Sequence, residues 1–105
     1  MTKMAVIVMK VVKAESHPNA DRLRVYSFEN QVGEAIQVVA NLENIYEVGD
    51  HAAVASVGTL FSDGMLIRET KLRGVESYGM AMGKVSEVVG TNLDERFGTK
   101  TETVE

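Results

Sequence analysis

The chain has 105 residues, of which 45% are hydrophobic and 25% charged, the proportions of one ordinary globular domain. It has no cysteine, which excludes disulfide frameworks, thiolate metal sites and cysteine nucleophiles. The longest clean apolar run, Met4 to Met9, is far short of the roughly 20 residues of a membrane span, and the net charge of -4 argues against a nonspecific nucleic-acid coat.

Strand and turn signals follow one another along the chain. Met4 to Lys13, rich in Val and Ile, reads as a first strand. Pro18, the only proline, forces a turn and pushes His17 away from helical conformation. Asp21 is expected to support that turn by accepting backbone N–H bonds. Leu23 to Glu29 reads as a second strand. Its apolar phase switches from Leu23 and Val25 to Tyr26 and Phe28, which predicts a bulge or coil in it. A polar turn, Asn30 to Gly33, leads to a third strand, Glu34 to Ala40.

Asn41 to Asn44 is a connection, and Val48-Gly49-Asp50 turns the chain into Ala52 to Val57. That strand is small and apolar on both phases, which suits a crowded barrel interior. Ser62-Asp63-Gly64 is a turn, Met65 to Leu72 a short strand, Arg73 to Gly79 a loop, and Met80 to Val89 the last strand. Asn92 to Phe97 has room for one helical turn. Residues 1–98 read as one domain and residues 99–105 as an acidic tail. About five short strands with glycine turns predict an all-β, five-stranded Greek-key barrel of the OB-fold type with short helical turns; a split SH3-like barrel is the alternative.

Charge is unevenly spread. Segment 10–24 carries Lys10, Lys13, Arg22 and Arg24 against Glu15 and Asp21. Segment 68–84 carries Arg68, Lys71, Arg73 and Lys84 against Glu69 and Glu76. Both are net positive on an acidic protein. Meeting in space they would form a basic strip; apart, they are ordinary solvated strand faces. The second segment also brings a hydroxyl, an aromatic ring and a thioether at Ser77, Tyr78 and Met80. Cations for phosphates beside groups that bond or pack on bases are the chemistry of a nucleic-acid surface. No glycine-rich phosphate loop, nucleophilic serine motif or metal-ligand spacing occurs, so a non-enzyme without cofactor or metal is expected.

Two blocks stand out: His17-Pro18-Asn19-Ala20-Asp21-Arg22 and Lys71-Leu72-Arg73-Gly74-Val75-Glu76-Ser77-Tyr78-Gly79-Met80. In this order they resemble the tRNA-binding domain family. That family includes a domain of the phenylalanyl-tRNA synthetase β subunit, C-terminal domains of some methionyl-tRNA synthetases, and free-standing dimeric tRNA-binding proteins. The resemblance spans roughly residues 6–87. Gly58-Thr59-Leu60 and Ile67 look nearest to the synthetase β-subunit branch. It implies an OB-fold that binds tRNA or structured RNA in trans, mainly by shape, as a cytoplasmic homodimer with a synthetase as a further partner. Carried over residue by residue, the RNA site comprises Asn19, Arg22, Arg24, Lys71, Arg73, Ser77 and Met80. The alternative is a protein-interaction or chaperone-like module using Met65, Met80 and Met82 as an adaptable apolar surface.

Overall fold

The computed structural model describes residues 5–99. Seven strands and one helical turn follow in order: β1 (Val6–Ser16), β2 (Leu23–Glu29), β3 (Ala35–Asn41), β4 (His51–Ser56), β5 (Thr70–Leu72), β6 (Val75–Ser77), β7 (Gly79–Lys84) and α1 (Asp94–Phe97). Five of them form one curled antiparallel sheet in the order β3-β2-β1-β4-β7, while β5 and β6 form a separate hairpin. The fold is all-β. The long β1 serves two neighbours: Val6 to Lys10 pairs with β4, and Lys10 to Ser16 pairs with β2.

The expected bulge in β2 is absent; the irregularity lies in the neighbouring β1. Strand β2 pairs without interruption along β3. In β1, Val11 pairs with Phe28 and Lys13 with Ser27, which leaves Val12 extra. The reason is burial. Met9 and Val11 face the core, and strict alternation would next turn Lys13 inward. One extra residue resets the phase, so that Ala14 packs on the core and Lys13 points out to pair with Glu15 at 3.3 Å. A second such shift leaves Met82 unpaired in β7.

Within the curl, Met9, Val11, Val38, Ala52 and Val54 surround an aromatic trio of Tyr26, Phe28 and Tyr46. Tyr46 meets Tyr26 edge-on at 5.2 Å and Phe28 at 5.7 Å between ring centroids. The small β4 residues answer to more than a barrel interior. Ala52 and Val54 face this core, but Ala53 and Ala55 face a second one with Val6, Val8, Phe61, Ile67 and Leu93. The chain after β7 lies over that outer face. It is held there by backbone bonds Leu93 N–H to Val6 O and Val8 N–H to Thr91 O, and by the Asp94 carboxylate accepting Val6 N–H at 2.8 Å.

Other boundaries differ from expectation. Strand β1 runs on to Ser16, and β7 ends at Lys84. Of the stretch 65–72, only Thr70–Leu72 is strand, with Leu66 in an isolated bridge to Leu60. Arg73 and Gly74 are the two central residues of a tight hairpin, with φ of 54° and 90°. Both are left-handed, the geometry of a type I′ turn. Thr99 bridges to Phe61; the rest of the expected tail lies outside the described residues.

Candidate nucleic-acid interface

The two sequence blocks meet at one end of the curled sheet, and His17 joins them. Its ring is 6% exposed and makes two bonds. Nδ1 accepts the Asn19 backbone N–H at 2.9 Å, and Nε2 lies 2.9 Å from the Leu72 carbonyl oxygen. An N–H partner on one side and a C=O partner on the other require the neutral tautomer with its proton on Nε2. The Asn19 side chain then donates Nδ2–H to the Arg73 carbonyl oxygen at 3.3 Å. The β1–β2 turn thus grips the backbone of the β5–β6 turn. Replacing His17 with alanine removes the partner of the Leu72 carbonyl and of the Asn19 N–H and empties the buried position of the ring. We expect a loss of about 2 kcal/mol in urea denaturation, with faster amide exchange at Asn19. Asp21, by contrast, is exposed and makes no hydrogen bond among the described residues. The expected backbone support is not there, and Asp21→Ala should shift stability by less than about 0.5 kcal/mol in the same assay.

Arg22, Lys71 and Arg73 are exposed at or beside this junction, and none has an ion-pair partner among the described residues. Three other cations are paired, Lys13 with Glu15, Lys84 with Asp50 and Arg96 with Glu87, while Lys10 and Arg68 are exposed and unpaired among the described residues. The Arg96 guanidinium holds the Glu87 carboxyl below its usual range, and that pair stands outside this region. Arg24 does not share the outward face of Arg22. It is half-buried, its guanidinium carbon stands 5.7 Å from the Tyr26 ring centroid, and its Nε has no partner.

Ser77 is 2% exposed and its hydroxyl both accepts and donates within the protein. Oγ accepts Val39 N–H at 3.0 Å and donates to the Gly79 carbonyl at 3.2 Å. Beside it, Gln37 donates Nε2–H to Glu76 O at 2.8 Å, and Tyr78 N–H reaches Gln37 O at 2.8 Å. Side chains therefore fasten β3 to the 76–79 segment. The Tyr78 hydroxyl bonds the Glu76 carboxylate, which raises the phenol pKa above its ordinary value. Met80 is 38% exposed on a groove of 510 Å³ shared with Met65, Leu66 and Leu72. The amino-acid sequence places Met80 on a surface but cannot assemble this groove, because its lining comes from four separate stretches with no common motif.

A family model described as "Putative tRNA binding domain" matches residues 6–99. The chain belongs to the tRNA-binding domain family. Among its relatives is the phenylalanine–tRNA ligase β subunit of Anaeromyxobacter dehalogenans, 43% identical over 75 residues. That alignment covers 71% of this chain and 9% of the relative. The same subunit from Nitratidesulfovibrio vulgaris is 40% identical over 89 residues, covering 85% of this chain and 11% of the relative. The chain therefore spans about a tenth of the length of these relatives. In fold it is similar to a Naegleria gruberi RNA ligase solved with PPi, with a TM-score of 0.75 over 93% of this chain and 35% of that one. At 14% identity, that likeness concerns the fold alone.

Proposed function

We propose that this chain is a non-catalytic tRNA-binding module built as an OB-fold barrel. It takes tRNA or structured RNA in trans at the junction of the β1–β2 turn and the β5–β6 hairpin. The observation that carries the reading is the tie of His17 and Asn19 to the Leu72 and Arg73 carbonyls, beside three exposed cations without ion pairs among the described residues. Arg22, Lys71 and Arg73 hold phosphates in this reading, while Met80 offers an apolar contact to a base. Asn19 sets the turn, Ser77 fastens the sheet, and Arg24 lies against the Tyr26 ring. A symmetric dimer, a synthetase partner and a cytoplasmic site belong to the same proposal on the family resemblance alone.

The test is a titration of labelled tRNA at about 50 mM salt, with an RNA duplex of equal length as competitor. Micromolar or tighter binding that the duplex competes for poorly is the expected outcome. Absence of binding to the unmodified chain would sink the tRNA role.

A further inference from the structure

We infer that the groove beside the β5–β6 hairpin receives one unpaired nucleobase of the bound RNA. This rests on the RNA-binding reading and names what that site selects. The observation is a division of chemistry across a small space. Met65, Leu66, Leu72 and Met80 form its walls, each 38–40% exposed. Four large apolar side chains left open around one groove cost solvation free energy unless a flat apolar partner covers them. Thioethers and leucines pack well against the face of a base.

The groove edge is polar. Asn41 Oδ1 already accepts Glu43 N–H at 2.9 Å, so its Nδ2 protons are left to donate, and the Asn44 amide makes no hydrogen bond among the described residues. Glu43 adds an acceptor, so the edge offers both roles that a base edge requires. The third component is charge. Arg68 lines the groove, and Lys71 and Arg73 occupy the adjoining hairpin, all three exposed and without ion pairs among the described residues. A nucleotide has the same three parts: an apolar face, a hydrogen-bonding edge and an attached phosphate. The volume of 510 Å³ falls within the range of about 300–1,000 Å³ typical of small-ligand sites. The second large groove, near Tyr78, carries Glu34 and Glu69 with no cation and fits an anionic ligand poorly. A paired base cannot present its face, so the groove selects loops, bulges or ends.

The experiment uses the full 105-residue chain. Its probes are a single-stranded RNA of about twelve nucleotides carrying 2-aminopurine, and the blunt duplex of that strand with its complement. The unmodified chain should bind the single strand more tightly, and 2-aminopurine emission should change as the base leaves its stack. Leu66→Ser with Met80→Ser should weaken single-strand binding by about 5- to 150-fold, leaving duplex affinity and the salt slope unchanged. The emission change on the unmodified chain keeps the test decisive if the double variant folds poorly. Saturable binding with unchanged emission would overturn the groove but keep RNA binding, as would equal losses for both RNAs. If the variant kept RNA affinity yet lost a Leu- and Met-rich peptide, the groove would be a protein-docking site and the inference wrong. If the unmodified chain bound neither RNA, the RNA-binding reading itself would fail.

Discussion

Replacing Gly79 with alanine is expected to destabilise the protein by about 3 kcal/mol or more. A Cβ at this position would stand 2.8 Å from the Ala55 carbonyl oxygen and 3.3 Å from Ile36 Cδ1. The first neighbour is backbone within the β4–β7 ladder, so it cannot rotate away. The second is core-facing on β3. One methyl group therefore wedges apart β7 and the two strands it meets. The backbone at Gly79 is not left-handed, so the cost comes from collision and not from strained φ. A domain of this size has about 5–15 kcal/mol of stability, so the loss is a large fraction. It corresponds to a fall in Tm of roughly 12 °C or more. A urea midpoint unchanged at constant m-value would show that β4 and β7 separate freely, and their close seam would be wrong.

Binding of tRNA should weaken about 20- to 100-fold between about 50 and 200 mM salt. Three to five neutralised phosphates on an unpaired element give a slope near -2 to -3.5, and the exposed cations at the junction are of that number. Arg73 permits a clean test. It sits in the left-handed region at φ 54°, where a side chain costs about 1 kcal/mol, followed by Gly74 at φ 90°. Alanine would keep the strain, whereas Arg73→Asn creates the Asn-Gly pair that this turn favours. The asparagine variant should fold at least as stably, yet flatten the salt slope by about 0.7. An unchanged slope would remove Arg73 from the phosphate contacts. A slope near zero for the unmodified chain would shift attention to apolar partners.

Much of this protein is legible in its amino-acid order. Strand β2 follows from its aromatic and β-branched residues. The turns at Pro18, Asn30 to Gly33 and Ser62 to Gly64 follow from side chains that bond their own backbone or allow positive φ. The paired blocks mark the family. These signals are local, carried by residues within a few positions of one another. The misplaced bulge shows their limit. The phase switch is visible within β2, but the core imposes the correction on β1, where Lys13 has to be turned out.

The roles of the block residues are decided only by tertiary structure. His17 and Asn19 act on carbonyls 55 and 54 residues away, across the curl of the sheet. Ser77 looks like an RNA contact in sequence, yet its hydroxyl is spent on Val39 and Gly79. The groove at Met80 exists because β7, the 65–72 segment and the chain after β3 converge. Periodicity and turn chemistry fix where a chain extends and bends, since each depends on neighbours in sequence. Which side chains then bond, collide or stay exposed depends on register and curl, which arise only when distant strands pack.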